Sequence, residues 1–115
     1  MPPSATYRRW DVVAVPYPFV EGTEAKRRPA LIVSTDTLHE RHGVYWAAMI
    51  TTASAGTRID DIPIIDLQVA GLPAECVIRL PRLATLGDAQ ISRRLGTLTA
   101  RDRRSVLGLL KLFAG

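Results

Sequence analysis

The feature that most constrains the fold of this chain is a series of short apolar runs, rich in β-branched residues and divided by proline, glycine and polar residues. Such runs are typical of β-strands, and the residues between them are typical of turns. The last part of the chain instead has helical spacing. Short strands at close intervals, followed by one terminal helix, favour a small antiparallel β-barrel with α+β content that is mainly β.

The predicted strands are short. They span residues 11–15, 29–34, 44–52, 62–67 and 76–80, with a last strand suggested at 95–98. Loops are predicted at 17–26 and 53–61, and residues 35–43 form a turn or a short helix closed by Gly43. Asp60 and Asp61 are interpreted as turn charges, with weak cation binding as the alternative.

The C-terminal helix has both a start signal and a buried face. Thr99 and Asp102 fit a capping box, in which a hydroxyl and a carboxylate accept hydrogen bonds from free N–H groups at a helix start. An apolar face follows at i, i+3, i+4 and i+7, comprising Val106, Leu109, Leu110 and Phe113.

Composition narrows the class of protein. A chain of 115 residues with 47% hydrophobic residues predicts one folded domain, 1–115, and disfavours disorder. Cys76 is the only cysteine, which excludes an intrachain disulfide, and it is expected to be buried. Residues 1–10 do not resemble a signal peptide, and no apolar run is long enough to span a bilayer, so a cytoplasmic protein without membrane contact is expected.

The net charge of +4 is compatible with a nucleic-acid or acidic partner, and equally with a soluble protein that happens to be basic. No metal or cofactor is expected. His39 and His42 are interpreted as parts of a polar turn, since two histidines three apart do not complete a metal site. Tyr45 and Trp46 lie on a predicted strand, where alternation sends one ring outward.

Cations border one predicted strand and hydroxyls end the next. Lys26, Arg27 and Arg28 directly precede the strand that begins at Pro29, and the following strand ends on Thr51 and Thr52. We expect an anion to balance the positive charge of these residues. Phosphate is the leading candidate, because a guanidinium offers planar donors that match the phosphate oxygens.

These residues also have ordinary structural explanations. An arginine before a strand is more often a surface ion-pair partner, Thr51 suits a strand as a β-branched residue, and Glu24 could be a solvated loop charge. The residues taken singly leave these alternatives open.

The ordered set of motifs resembles the MazF/PemK family of toxins from bacterial toxin–antitoxin pairs. The matching pieces are Asp11-Val12-Val13, Gly22-Thr23-Glu24, Arg28-Pro29-Ala30-Leu31-Ile32-Val33-Ser34, Ile50-Thr51-Thr52, Gly71-Leu72-Pro73, Val77-Ile78-Arg79 and Leu95-Gly96-Thr97-Leu98. The resemblance implies an SH3-like barrel that acts as a homodimer. It further implies a sequence-selective, metal-independent endoribonuclease on single-stranded RNA, silenced by a cognate antitoxin.

The resemblance also implies a site. Its active-site arginine falls on Arg28, its strand-end threonine on Thr51 and its loop glutamate on Glu24. The surrounding residues are expected to bind the RNA backbone: Lys26, Arg27, Thr52, Arg79 and Arg82.

The chain departs from the family at three places. The family usually has glycine where Trp10 stands. One branch uses a loop histidine where this chain has Thr23, and an arginine-x-aspartate pair where it has Arg79-Leu80-Pro81, so Arg79 lacks the acidic partner at that spacing.

The implied chemistry is attack of the 2′-hydroxyl on its own phosphate, giving a 2′,3′-cyclic phosphate and a 5′-hydroxyl. Arg28 is interpreted as the phosphate stabiliser, with proton donation to the leaving oxygen as a further role, and Glu24 as the loop group able to accept a proton. Two alternatives remain at this stage: a non-enzymatic gyrase poison similar to CcdB, and a catalytically inactive binding barrel.

Overall fold

Six strands and three α-helices make up the described part of the chain. The computed structural model describes residues 7–16 and 27–115. The strands are β1 (Asp11–Pro16), β2 (Arg27–Ile32), β3 (Val44–Thr52), β4 (Ile62–Pro63), β5 (Cys76–Gly87) and β6 (Arg93–Thr97). The helices are α1 (Asp36–His42), α2 (Leu67–Ala70) and α3 (Ala100–Ala114), and short 3₁₀ turns span Ala53–Ala55 and Asp88–Gln90.

The strands form one curled antiparallel sheet in the order β4-β5-β3-β2-β1-β6. Every paired neighbour in the described sheet is antiparallel. The sheet forms a half-barrel, which confirms the predicted mainly β fold class.

The sheet is covered by apolar side chains on both faces. Successive residues of a strand point to opposite faces, so the continuous apolar run of β1 supplies both. Val12 belongs to a cluster shared with Leu31, Ile50 and, from α3, Val106. Val13 belongs to a second cluster on the other face, shared with Ala30 and Tyr45 among others. Burial on both faces explains why this strand shows no alternation of polar and apolar residues.

Strand β5 is longer than the sequence predicts and is interrupted by a bulge. Ala48 of β3 pairs with Leu83, whereas the next residue, Met49, pairs with Arg79, so three residues of β5 lie outside the ladder. Pro81 is one of them, and a proline that cannot donate to the ladder is tolerated at a bulge. The prediction ended this strand at residue 80, whereas the bulge lets it continue to Gly87.

Other element predictions were wrong in their bounds or kind. The strand predicted at 29–34 is Arg27–Ile32, so Arg27 and Arg28 belong to β2 rather than precede it. The strand predicted at 62–67 is only Ile62–Pro63, and the short helix α2 follows it. The last strand is Arg93–Thr97 rather than 95–98. The prediction for residues 35–43 is confirmed: Asp36–His42 form the short helix α1, and Gly43 ends it in the left-handed region at φ 68°.

The start of α3 confirms one half of the capping prediction and corrects the other. The Thr99 hydroxyl accepts a hydrogen bond from the Asp102 amide. The Asp102 carboxylate instead accepts hydrogen bonds from the amides of Ile65 and Asp66, each at 3.2 Å, and thereby ties the helix to the segment after β4. Phe113 was predicted to lie on the buried face but is 48% exposed, whereas Val106 is buried and Leu109 and Leu110 pack against the first cluster.

Trp10 enters β1 with a backbone conformation that usually needs glycine. Its φ is 78°, in the left-handed region, where a Cβ atom is strained. The ring is partly buried against the first cluster, and the Arg9 guanidinium carbon lies 4.6 Å from its centroid. The Trp10 amide donates to the Ile32 carbonyl at 2.8 Å, and its own carbonyl accepts from the Leu98 amide at 2.9 Å. The glycine usual in the family is therefore replaced by a residue whose packing offsets the strain.

Two substitutions separate the strain from the packing. We expect Trp10→Ala and Trp10→Gly both to lower the free energy of unfolding, since both remove the ring. Trp10→Gly should be the more stable of the two by about 1 kcal/mol, because glycine alone relieves the positive φ. Urea unfolding of both variants checks this, and an alanine variant as stable as the glycine variant would contradict it.

Candidate functional site

A cavity lined by arginines opens on the face of the second apolar cluster. Its volume is about 590 Å³. Four guanidinium-bearing residues line it: Arg28, Arg58, Arg79 and Arg82. The remaining lining residues are mostly apolar and come from the strands: Val15, Pro16, Ala30, Ala47, Met49, Leu83, Ala84 and Leu86, with Thr85 and Gln90. We call it the arginine cavity; among the described lining residues it has no carboxylate.

Strand register explains why residues distant in sequence line one cavity. Ala30 of β2 pairs with Met49 of β3, and Met49 pairs on its other side with Arg79 of β5. Directly paired residues of antiparallel strands share a face. Arg28 lies two residues before Ala30 and therefore shares that face as well. The register thus places Arg28 and Arg79 on one surface, with Met49 between their rows.

Arg79 has an acidic partner that the sequence reading did not find. Its Nε donates to Asp61 Oδ1 at 3.2 Å, and its Nη2 donates to Asp61 Oδ2 at 3.3 Å and to the Gly56 carbonyl at 2.9 Å. Only 4% of the Asp61 side chain is exposed. Asp61 closes a turn with Arg58, as predicted, but its carboxylate also pairs with Arg79, because the loop folds back onto β5.

The electrostatic state of Asp61 follows from these contacts. Burial by itself raises the pKa of Asp61, but hydrogen bonds from the Arg58 amide and from Arg79, with the charges of both arginines, outweigh it. The pKa therefore lies below its ordinary value, and the carboxylate is charged at neutral pH.

The two predicted threonines lie on opposite faces of β3. Thr51 lies two residues beyond Met49, on the cavity face and at the level of Arg28, but it is buried and is not among the described residues that line the cavity. Thr52 is exposed on the other face, where its hydroxyl accepts from Ser54 at 3.3 Å. Thr51 therefore lies on the cavity face but is not exposed among the residues that line the cavity.

Of the other predicted RNA-binding residues, some line the cavity and others do not. Arg82 lines the cavity, whereas Arg27 is exposed and, among the residues described, is not one of its lining residues. Lys26 and Glu24 lie outside the described residues. The structure therefore gathers Arg28, Arg79 and Arg82 from the predicted set.

Arg58 is a cavity residue that sequence reasoning missed. It lies in the loop between the 3₁₀ turn and β4, and only the positive charge in an otherwise polar loop could have signalled it. Its amide donates to Asp61 Oδ2 at 2.7 Å, which fixes the loop that carries it.

A second polar cluster lies away from the arginines. Tyr45, which is buried, donates its hydroxyl to Asp88 at 3.0 Å, and His39 Nε2 lies 3.0 Å from the same carboxylate. The hydrogen bond from His39 lowers the pKa of Asp88; burial opposes this, and the Tyr45 hydroxyl adds to it. Trp46, the next residue, is about half exposed, which confirms the predicted alternation.

Two negative findings concern only the described parts of the chain. Across 7–16 and 27–115, no group of three or more histidine, cysteine, aspartate or glutamate residues is arranged to hold a metal ion. No helix within those segments has the length and apolarity required to traverse a membrane. Cys76 is buried, as predicted, and burial raises the pKa of its thiol.

The family model of the PemK-like, MazF-like toxin of type II toxin–antitoxin systems matches residues 8–114. The chain belongs to this toxin family. The resemblance inferred from the motifs is thereby confirmed, and the proteins of the family are known as endoribonucleases. No curated protein sequence matches the chain.

Solved structures share the fold. An endoribonuclease in complex with its cognate antitoxin from Mycobacterial species has a TM-score of 0.71 and 16% identity, covering 95% of this chain and 94% of that one. MazF from Deinococcus radiodurans has a TM-score of 0.70 and 20% identity, covering 95% and 97%. The Mycobacterium tuberculosis toxin MazF-mt6 has a TM-score of 0.67 and 21% identity, covering 90% and 95%. At these identities the similarity shows the fold.

The lowered pKa of Asp61 predicts a pH dependence of stability. A depressed folded-state pKa stabilises the protein above the ordinary carboxyl value of 3.8, and this contribution is lost as the pH falls through the folded-state pKa. We expect Asp61→Asn to be less stable than the natural protein at about pH 6, with the gap narrowing as the pH falls below the ordinary carboxyl value of 3.8. Urea unfolding across this range measures the gap, and a gap that does not change with pH would contradict the prediction.

Proposed function

We propose that this toxin is a sequence-selective, metal-independent endoribonuclease that cleaves single-stranded RNA in the arginine cavity. The observation that carries the proposal is the placement of four guanidinium groups around an apolar floor, with Arg28 of the family motif among them. Phosphate is the anion that such donors match best, and the floor provides apolar contact for the nucleotide beside it.

The proposed reaction is an in-line attack of the 2′-hydroxyl on the adjacent phosphate. An O–P bond forms at the 2′-oxygen while the bond to the 5′-oxygen breaks, leaving a 2′,3′-cyclic phosphate and a 5′-hydroxyl. Negative charge develops on the non-bridging oxygens of the phosphorane, and arginine donors fixed in place stabilise it. Arg28 has this role in the proposal, and Arg82 and Arg58 hold neighbouring backbone phosphates.

Two protons must move in this reaction. The 2′-hydroxyl loses one, and the leaving 5′-oxygen gains one. Glu24 is proposed as the group that accepts the first, since a carboxylate is a competent base at neutral pH and a guanidinium is not. Arg28 is proposed to donate a proton towards the leaving 5′-oxygen. Thr51 is proposed to position the phosphate at the end of β3.

The proposed partners follow the family. We propose a cytoplasmic homodimer whose cavity is covered by the acidic and apolar tail of a cognate antitoxin. The cationic rim and apolar floor of the cavity are complementary to such a tail, and one structure of the same fold is that of an endoribonuclease with its cognate antitoxin.

Removal of the Arg28 guanidinium tests the activity. Incubation with a long single-stranded RNA in EDTA should yield fragments with 5′-hydroxyl ends, and Arg28→Ala should reduce the initial rate roughly a hundredfold, since one fixed donor contributes about 3 kcal/mol to the transition state. Arg101→Ala is the matched control: it removes the same charge from an exposed position on α3.

The assay also separates the alternatives. Intact RNA with inhibited gyrase supercoiling would replace the proposal with a CcdB-like poison. Intact RNA that the protein still binds would indicate an inactive binding barrel. Equal loss of rate in the Arg28 and Arg101 variants would refute a specific role for Arg28.

The salt dependence of RNA affinity measures how much Arg58 contributes to RNA binding. We expect Arg58→Ala to reduce the slope of log affinity against log salt by about 0.7, the value for one phosphate contact on a single strand. A fully 2′-O-methylated RNA serves as the ligand because it lacks the attacking hydroxyl. Arg101→Ala should leave the slope unchanged, and an unchanged slope in Arg58→Ala would remove Arg58 from the interface.

A further inference from the structure

The Asp61 carboxylate is the point where two walls of the arginine cavity are joined. One wall is β5, which carries Arg79 immediately before the bulge. The other is the loop that carries Arg58. Asp61 accepts hydrogen bonds from the Arg79 side chain at 3.2 and 3.3 Å and from the Arg58 amide at 2.7 Å. A single carboxylate therefore fixes the Arg79 guanidinium and the backbone that carries Arg58.

The contacts also determine which part of Arg79 can reach an occupant of the cavity. A guanidinium has five N–H donors in a fixed fork. The Nε donor and the Nη2 donors are engaged by Asp61 and by the Gly56 carbonyl. Within the described part of the chain these bonds leave Nη1 as the end of Arg79 that can donate to an anionic oxygen. The ion pair thus presents one edge of the guanidinium in a fixed orientation.

A gain in folding stability is a weak explanation for the Asp61–Arg79 ion pair. Desolvating two charges costs about as much as their attraction returns, so a buried ion pair contributes little net stability compared with apolar residues of the same volume. Orientation is a stronger reason, because an oriented donor need not reorganise when charge develops on the substrate.

We propose that Asp61 is a positioning residue that holds Arg79, and with it the Arg58 loop, in the geometry needed for RNA cleavage. This inference rests on the proposed function of the arginine cavity. The carboxylate comes from a loop remote in sequence, whereas one branch of the family has its acid two residues after the arginine. Asp61 does not touch the RNA; it acts through Arg79.

A double-mutant cycle tests this coupling. Initial cleavage rates on a long single-stranded RNA in EDTA are measured for Asp61→Ala, Asp61→Asn, Arg79→Ala and the double variant Asp61→Ala with Arg79→Ala. We expect each Asp61 variant to lower the rate at least tenfold in the natural background. In the Arg79→Ala background the Asp61→Ala change should lower the rate less than threefold, because the guanidinium that Asp61 positions is gone and only its hydrogen bond to the Arg58 amide remains to be lost.

Asp60→Asn is the matched control. It makes the same change in net charge one position away on an exposed side chain, and asparagine tolerates the φ of 67° found there. Its rate should stay within twofold of the natural protein. Thermal unfolding of each variant checks that it is folded under the assay conditions. A tenfold loss from Asp61→Ala in both backgrounds, or full activity in Asp61→Asn, would overturn the proposal.

A readout independent of cleavage separates this inference from the proposed function. The ¹H–¹⁵Nε signal of Arg79, assigned by its loss in Arg79→Ala, should exchange with water at least tenfold more slowly than that of the exposed Arg101. Asp61→Asn should shift this signal and speed its exchange. If neither the natural protein nor any variant cleaves RNA but the Arg79 signal still exchanges slowly, the proposed function is refuted while the orientation of Arg79 by Asp61 is supported. A signal that exchanges as fast as that of Arg101 overturns the positioning role itself.

Discussion

The register of β3 between β2 and β5 is the constraint on which the rest of this site depends. Ala30, Met49 and Arg79 lie side by side in one row across three strands. A shift of one residue in either pairing would send the side chains of the shifted strand to the opposite face, since side chains alternate. Apolar residues on both faces fix the register, because each cluster is filled only when every strand keeps its place.

The bulge in β5 places two arginines on the cavity face, which regular strand pairing would not do. With an unbroken ladder, alternation would place Arg79 and Pro81 on one face and Leu80 and Arg82 on the other. The three residues outside the ladder break this rule, so Leu80 is buried in the first cluster while both Arg79 and Arg82 line the cavity on the second face. A local irregularity is therefore what concentrates positive charge in one place.

Two departures from the family pattern show how one structural requirement is met by different residues. A left-handed residue is needed before β1, and this chain uses Trp10, whose ring packs against the core and lies beside Arg9. Arg79 is paired with Asp61 of a loop, whereas one branch of the family has its acid two residues after the arginine. At Trp10 the place in the sequence is kept and the residue type changes, whereas the acid beside Arg79 comes from a different place in the sequence.

The sequence by itself determined the class of fold and the family, and it singled out Arg28 near the start of β2. Short β-branched runs and an i, i+3, i+4 helical face are local patterns, so they can be read without knowing what they pack against. Element bounds near Pro81 could not be read in this way, because a proline looks like a strand end unless the partner strand accommodates a bulge.

Only the tertiary structure decided which charges meet. The Asp61–Arg79 pair joins residues 18 apart, and Arg58 reaches the cavity because its loop is bound to Arg79. Local patterns carry no information about such contacts, since they form only when the loop folds back onto the curled sheet. For the same reason Thr51, which the motif predicts as a site residue, lies at the level of Arg28 yet is buried. Strand alternation fixes its face, but its exposure depends on the packing around it.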